Sequence, residues 1–251
     1  MKTRYFIFIS YKGTFYHGWQ IQPNSLTVQK IIDNTLSVVL GEQILTTGAG
    51  RTDTGVHAMN FCAHFDSISP DLSTAENLVF KLNRFLPEDI SANSIRKVRP
   101  DANARYSAIS RTYKYYISRI KDPFSETSSW YLHSNININA MNKACGLLID
   151  HSDFTSFSKL HSNVKNNICR IYKAAWEESQ NTLVFTIKAD RFLRNMVRAI
   201  VGTMVEIGFG KMSLAEFEEI ILAMDRCRAG KSAPAKGLFL ADIEYPAEIF
   251  I

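Results

Sequence analysis

The chain has 251 residues, of which 46% are hydrophobic and 21% charged, and its net charge at pH 7 is +5. This is ordinary globular usage, which excludes disordered, collagenous and low-complexity chains, and the length predicts one large domain or two small ones. The positive charge permits a polyanionic partner such as nucleic acid without requiring one. Arg198 and Glu206 interrupt the longest apolar stretch, which falls short of the roughly 20 residues of a membrane helix, so we expect no membrane segment.

The first half of the chain alternates predicted strands and helices. Residues 4–11 carry aromatic and β-branched side chains on both faces, which predicts a strand inside a sheet rather than at its edge. In residues 27–40 the apolar side chains recur with helical spacing, and Gly41 follows at the position where a left-handed residue ends many helices. The remaining elements predicted here are a loop at 46–55, a strand at 56–66, a helix at about 73–85 and a strand at 90–98.

A connector at residues 99–103, which contains proline, aspartate and asparagine, separates the two halves. We place a domain boundary there, which gives domains 1–104 and 105–251. Ser213 and Glu216 have the spacing of a capping box at a helix start. The second half is predicted to hold strands at 111–120, 169–177, 182–189 and 238–245, and helices at about 140–149, 192–207 and 213–224. Mixed strands and helices in both halves indicate an α+β fold with helices on one face of each sheet.

The most unusual segment is residues 48–58, Gly-Ala-Gly-Arg-Thr-Asp-Thr-Gly-Val-His-Ala, which places three glycines and one carboxylate between a helix and a strand. Glycines permit a tight turn that could expose Asp53, although a plain turn explains the loop equally well. The Walker and dinucleotide-binding patterns are excluded, because the first needs Gly-Lys-Ser/Thr and the second needs glycine in place of Asp53. The tripeptide Asp-Thr-Gly also occurs in aspartic proteases, but one copy would require a symmetric dimer on an almost all-β fold.

Two basic patterns could meet nucleic acid. Alternate residues of the strand at 111–120 place arginine and tyrosine side chains on one face, among them Tyr113, which suits base stacking and phosphate contacts. A core sheet with buried tyrosines and arginines at its rim is the other interpretation. On the helix predicted at 192–207, Arg191, Arg194 and Arg198 form one ridge. Arg198 would lie midway along an apolar helix, where a charge needs a partner, and Asp53 is our candidate.

Metal chemistry has no support in the sequence. The six histidines lack the HExxH spacing, and the four cysteines are too far apart to clip a metal. We therefore expect a structural His57 and free thiols in a reducing cytosol.

Residues 50–58, Gly-Arg-Thr-Asp-Thr-Gly-Val-His-Ala, resemble the nucleophile motif of the tRNA pseudouridine synthase A family, which is usually Gly-Arg-Thr-Asp-Ala-Gly-Val-His-Ala. Further blocks similar to that family occur in the same order along the chain, two before this motif at 16–20 and 28–29, and four after it at 104–115, 153–154, 192–198 and 233–240. Two positions depart from the family pattern: Thr54 replaces alanine, and Asn103 stands where histidine is common. Neither departure touches the chemistry that the resemblance implies.

The resemblance implies a two-domain pseudouridine synthase fold, α+β, in which each domain is a mostly antiparallel sheet with helices on one face. It also implies a cytoplasmic homodimer that uses no cofactor or metal and isomerises uridines at positions thirty-eight to forty in the anticodon stem-loop of tRNA. Asp53 would be the nucleophile and Arg198 its partner. Tyr113 would stack on the target uracil, and Arg51 would replace the flipped base in the stem.

A tRNA-binding protein or chaperone without catalysis is the competing class of function. Asp53 distinguishes the two, because a pure RNA binder gains nothing from a carboxylate in a cleft that faces phosphates. A dimeric protease remains a third and more distant possibility.

Overall fold

The computed structural model describes residues 2–69, 72, 76–159 and 166–251. Two compact units share the chain: unit 1 is Met1–Ile109 with Leu240–Ile251, and unit 2 is Ser110–Phe239. This division differs from the predicted domains 1–104 and 105–251, because the chain returns to unit 1 after Phe239. The contacts of residues 240–251 with unit 1 are long-range, and local sequence patterns do not predict such contacts.

Unit 1 contains four strands from the first half of the chain: β1 (Thr3–Tyr11), β2 (Thr47–Gly48), β3 (His57–Ser67) and β4 (Ile90–Lys97). β1 pairs antiparallel with β3 on one side and with β4 on the other, which confirms that it is an inner strand. The short β2 pairs antiparallel with β3 and was not predicted.

Two helices complete this part of unit 1. α1 (Val28–Leu40) ends at Gly41, whose φ of 67° is the left-handed C-cap that the sequence predicts. α2 (Glu76–Phe85) matches the helix predicted at about 73–85, and residues 73–75 lie outside the described residues.

Unit 2 is built on a sheet in the order β5 (Ser110–Ser118), β8 (Thr182–Ala189), β7 (Ile171–Ser179), with antiparallel pairing throughout this path. The short β6 (Trp130–Tyr131) pairs parallel with β5. Three helices belong to this unit: α3 (Ile138–Asp150), α4 (Met196–Gly208) and α5 (Leu214–Leu222). The predicted capping box of Ser213 and Glu216 is present at the start of α5. The α+β prediction is confirmed.

The helix predicted at 192–207 is wrong over its first four residues. Asn195 has φ of 65°, and a residue in this left-handed conformation cannot belong to a right-handed helix, so α4 begins at Met196. Arg191 and Arg194 therefore precede the helix, and the predicted ridge of three arginines does not form. Arg198 lies in the first turn of α4 rather than midway along it.

The core of unit 2 lies between its sheet and its helices. The rings of Trp176 on β7 and Phe185 on β8 stack at 4.9 Å, and the indole N–H of Trp176 donates to the sulfur of Met204 on α4. This face of the sheet is thus covered by helix, as the sequence predicts. None of the helices in the described ranges is long and apolar enough to cross a membrane.

The last strand, β9 (Leu238–Glu244), lies beside β3 and brings the C-terminal segment into unit 1. The Tyr245 ring meets Phe6 of β1 edge-on at 5.0 Å, and Phe250 also contacts Phe6 edge-on. This aromatic cluster buries a face of β1, which explains why the final twelve residues belong to unit 1 rather than to unit 2.

An ion pair joins β1 to β3 where Arg4 and Asp66 are register partners, with Nε–Oδ1 at 2.7 Å. The hydrogen bond from Arg4 lowers the pKa of Asp66 below its usual range. A carboxyl with a depressed folded-state pKa stabilises the fold above the ordinary aspartate value of about 3.9, and this stability is lost as the pH falls through the folded pKa. We predict that Asp66→Asn lowers the melting temperature at pH 7 and that its difference from wild type begins to narrow below about pH 4 and continues to narrow as the pH falls further.

Thermal melts from pH 7 down to pH 3 measure this difference. Asp101→Asn is the control, because its ion pair with Arg99 is mostly exposed and should contribute little. A difference between Asp66→Asn and wild type that stays constant over this range would contradict the assignment.

Candidate active site

Asp53 opens a tight turn in unit 1. Its carbonyl oxygen accepts the backbone N–H of Val56 at 3.1 Å, and Gly55 between them has φ of 78°. A side chain at this φ would be strained, so the position favours glycine. The turn presents Asp53, which is half-buried, on a backbone with a fixed conformation.

The residues on the N-terminal side of Asp53 alternate in burial. Thr52 is buried, and its hydroxyl lies 2.9 Å from the hydroxyl of Tyr11. Arg51 is exposed. The hydrogen bond of Thr52 therefore anchors the middle of the Arg-Thr-Asp sequence in unit 1, between an exposed cation and a half-buried carboxylate.

Residues 12–19, which we call the strap, pack along this turn. The backbone N–H of Gly13 donates to Nδ1 of His57 at 3.0 Å, and the carbonyl of Tyr16 accepts the N–H of Gly55 at 3.3 Å. His57 is buried and accepts this bond, so its structural role is confirmed. The strap is in turn tied to the loop before β4, because the Tyr16 hydroxyl donates to Asp89 at 2.6 Å.

Two glycines let the strap approach the turn backbone to backbone. A Cβ at Gly18 would lie 2.2 Å from the carbonyl oxygen of Thr52, and one at Gly13 would lie 2.0 Å from that of Val56. No side chain fits at either position. Sequence reasoning did not find this contact, although Gly18 belongs to the block at 16–20 that resembles the family.

Helix α1 fixes the chain where it enters the loop. The carboxylate of Asp33 accepts both the N–H and the hydroxyl of Thr46, at 2.9 and 2.6 Å, and the amide of Gln29 donates to the Thr46 carbonyl at 2.7 Å. Burial raises the pKa of Asp33, and the bonds from Thr46 oppose that rise. Gly48, the last residue of β2, lies against the indole of Trp19. The roles of Asp33 and Thr46 are not among the predicted features, although a buried aspartate on the apolar side of α1 is a signal in the sequence that points to them.

Tyr113 lies on β5 in unit 2. It is half-buried, and Phe192 meets its ring edge-on, with centroids 5.1 Å apart and an interplanar angle of 86°. Beside it on the same face, the Arg111 guanidinium donates to the carbonyl of Asp190 at 2.8 Å. The aromatic contact holds the plane of the Tyr113 ring.

The alternative prediction for this strand, a core sheet with buried tyrosines, is correct for Tyr115. Its side chain is fully buried, and its hydroxyl donates to the carbonyl of Pro234 at 2.8 Å. Burial raises the pKa of Tyr115, and the positive charge of Arg198 acts in the opposite direction. This tyrosine is a structural residue, whereas Tyr113, two positions earlier, is half-buried.

Arg198 is held from the C-terminal side of unit 2. Its Nε donates to the carbonyl of Ala233 at 2.7 Å, and the N–H of Ala233 donates back to the Arg198 carbonyl at 2.9 Å. One turn later, a Cβ at Gly202 would lie 1.8 Å from the carbonyl oxygen of Lys231. The segment before β9 thus lies directly on α4 and fixes the guanidinium of Arg198.

The four predicted site residues fall in two units: Asp53 and Arg51 in unit 1, and Tyr113 and Arg198 in unit 2. The predicted pairing of Asp53 with Arg198 stays a prediction. All four cysteines are free thiols, as predicted. Within the described ranges, no group of three or more His, Cys, Asp or Glu side chains could hold a metal ion.

Comparison with known proteins gives one consistent result. A family model described as tRNA pseudouridine synthase matches residues 7–107 and 144–246. The chain is 52% identical over 248 residues to the tRNA pseudouridine synthase A of Bacteroides fragilis, with 98% of each chain covered. It is 50% identical over 250 residues to that of Bacteroides thetaiotaomicron, covering 98% of this chain and 92% of the relative. A Thermoanaerobacter sp. relative of the same name is 38% identical over 241 residues, with 95% and 98% covered.

We predict that Gly18→Ala destabilises unit 1 more than a positive φ alone can explain. Gly18 has φ of 82° and Gly41 has φ of 67°, but a Cβ at Gly41 meets nothing within 4 Å. Gly41→Ala should therefore cost only the backbone strain, about 1–2 kcal/mol. Gly18→Ala should cost a further ~1–3 kcal/mol, because the Thr52 carbonyl must move.

Urea unfolding of both variants and of wild type measures the two costs. Equal losses in the free energy of unfolding for Gly18→Ala and Gly41→Ala would contradict the close backbone contact between the strap and the turn.

Proposed function

Because the chain belongs to the tRNA pseudouridine synthase family, and is thus an isomerase, we propose that it converts uridines at positions thirty-eight to forty of the tRNA anticodon stem-loop to pseudouridine. We propose Asp53 as the nucleophile. The observation that carries this assignment is the half-buried carboxylate on a turn held by backbone contacts, within a nine-residue motif similar to the family's own.

The reaction balances within the substrate. The bond between N1 of uracil and C1′ of ribose breaks, and a bond between C5 and C1′ forms. One proton leaves C5 and one is taken up at N1, so no oxidant or reductant is consumed. Asp53 forms a transient covalent bond to the target nucleotide, which divides the exchange into two easier steps.

Arg198 is proposed to hold the carboxylate of Asp53 after RNA excludes water. A guanidinium is always charged and matches the geometry of a carboxylate. The bond from its Nε to Ala233 supports this role, since it fixes the plane of the guanidinium before substrate binds. An oriented cation of this kind stabilises a nucleophile without having to reorganise during the reaction.

Tyr113 and Arg51 are proposed to handle the flipped nucleotide. Extruding a base costs a few kcal/mol, and stacking on an aromatic ring offsets about 1–3 kcal/mol of that cost. The half-buried ring of Tyr113, held edge-on by Phe192, supports the stacking role. The exposed Arg51, two residues from Asp53, is proposed to fill the place that the base leaves in the stem.

Two copies of the chain are further proposed to act as a homodimer. Sedimentation of the protein with and without tRNA measures the oligomeric state, and a monomer under both conditions would refute this part.

The first test uses tRNA transcripts with tritium at C5 of uridine. We predict that wild type releases tritium to water, because C5 must lose its hydrogen when ribose bonds there, and that Asp53→Asn releases none. Asp150→Asn, which changes an exposed carboxylate of unit 2, is the control and should match wild type. No release by wild type, with tRNA still bound tightly, would favour the binding protein without catalysis.

The second test separates the ring of Tyr113 from its hydroxyl. Tyr113→Phe keeps the stacking surface, so we predict that tRNA affinity stays within about threefold. The family resemblance also implies that the Tyr113 hydroxyl assists proton removal, so we predict that turnover falls when the hydroxyl is absent. Tyr172→Phe, a change at a tyrosine that is 44% exposed, is the matched control. Lost affinity in Tyr113→Phe with normal turnover would contradict this division of roles.

A further inference from the structure

Several aromatic side chains in the described part of unit 1 are exposed and used by none of the roles above, and Tyr106 is the most exposed of them. Tyr106 is 79% exposed in the connector between β4 and β5. A single exposed apolar residue is ordinary on a protein surface, so exposure alone indicates nothing. This tyrosine differs in that a connector fixed by hydrogen bonds is combined with a guanidinium beside the ring.

The connector is folded by its own side chains. The Oδ1 atom of Asn103 accepts the N–H groups of Arg105 and Tyr106, at 2.9 and 3.2 Å. The hydroxyl of Ser107 accepts the N–H of Asn103, whose carbonyl accepts the N–H of Ser107, both at 2.9 Å. Asn103, which departs from the histidine common in the family, is therefore the residue that shapes the turn carrying Tyr106.

The residue between Asn103 and Arg105 anchors the turn in unit 1. Ala104 is fully buried, its N–H donates to Nδ1 of His64 at 3.1 Å, and its carbonyl accepts the hydroxyl of Tyr245 at 2.6 Å. Burial lowers the pKa of His64, and the charge of Arg4 lowers it further, which favours the neutral ring that can accept this bond. The backbone that carries Tyr106 is thus fixed from both sides of Ala104.

A cation accompanies the ring. The Arg105 guanidinium lies 5.4 Å from the centroid of Tyr106, within the range of a cation–π contact, and both side chains are exposed. An aromatic surface with a guanidinium beside it offers a stacking surface for a base and a positive charge for its phosphate. Such a site is tolerant of sequence, because every base has a π-face.

We propose that Arg105 and Tyr106 form a second nucleotide-binding site, in which an unpaired base of the tRNA stacks on Tyr106 and the adjacent phosphate meets Arg105. That the ligand is tRNA rests on the proposed function. The base that stacks here belongs to a different nucleotide from the uridine that reacts. Its role is to add affinity for tRNA outside the chemical step.

The most exposed aromatic residue in the described ranges does not have this character. Phe124 of unit 2 is 98% exposed, but its N–H is capped by the carboxylate of Asp122, and Glu126 lies two residues further on. The Asp122 carboxylate beside the Phe124 backbone disfavours a phosphate there. Phe124 is therefore the matched control for a large exposed ring without a cation beside it.

The experiment compares Tyr106→Ala, Tyr106→Phe and Phe124→Ala by tritium release, and repeats each in the Asp53→Asn background to measure the tRNA dissociation constant without turnover. Tyr106→Ala should raise both KM and the dissociation constant about 5- to 150-fold, the range of one stacked base. Its turnover number should stay within twofold of wild type, and Tyr106→Phe and Phe124→Ala should match their parents. Arg105→Gln should weaken binding and reduce the salt dependence of affinity by about one phosphate contact.

Unchanged KM and affinity in Tyr106→Ala would overturn the proposal, and so would a Tyr106→Phe variant as weak as Tyr106→Ala, because the ring is then not the binding element. An unchanged salt dependence in Arg105→Gln would overturn the phosphate contact. If wild type releases no tritium, the proposed function fails, while the affinity measurements still decide whether this stacking site exists.

Discussion

The contact between the strap and the turn of Asp53 is the constraint on which the architecture of unit 1 depends. At Gly13 and Gly18 this contact joins backbone to backbone, with no room for even a methyl group. Side chains can change rotamer when they are pushed, but two backbones in contact have no such freedom. The position of the Asp53 carboxylate is therefore set by the strap to a precision that a surface loop alone could not reach, and precision of this kind is what a nucleophile requires.

The supports of the strap and the turn form one continuous system. Asp89 holds Tyr16 of the strap, Tyr11 at the end of β1 holds Thr52 of the turn, and α1 holds Thr46 at the entrance to the loop. Each of these bonds satisfies a polar group that is at least partly buried, and a buried polar group left without a hydrogen bond costs about 1–3 kcal/mol. The same bonds that position the turn therefore stabilise unit 1, so a change at Tyr11 or Asp33 should disturb both.

The sequence predicts most of the regular elements, because their side-chain periodicity is local. β1 carries apolar residues on both faces and is an inner strand, and α1 keeps its helical spacing up to Gly41. The strap could not be predicted, since residues 12–19 have no periodicity and their contacts with His57 and Asp89 join residues 44 and 73 positions apart along the chain. The start of α4 was also misjudged: the apolar spacing of residues 192–196 continues that of the helix, and nothing in it reveals the left-handed conformation of Asn195. Local sequence patterns also fail to predict that residues 240–251 belong to unit 1, because the contacts responsible join residues far apart along the chain.

In unit 2 the segment before β9 plays the part that the strap plays in unit 1. The carbonyls of Ala233 and Pro234 accept hydrogen bonds from Arg198 and Tyr115, and Gly237 packs its Cα against the Tyr115 ring, where a Cβ would lie 2.7 Å from the nearest ring carbon. These bonds give the block at 233–240, which resembles the family, a structural role in unit 2. A carbonyl needs no particular side chain, so the residues of this block are chosen for the backbone path that they permit. The small residues at 233, 235 and 237 and the proline between them suit that path, because bulkier side chains would keep the segment away from α4 and the strand beneath it.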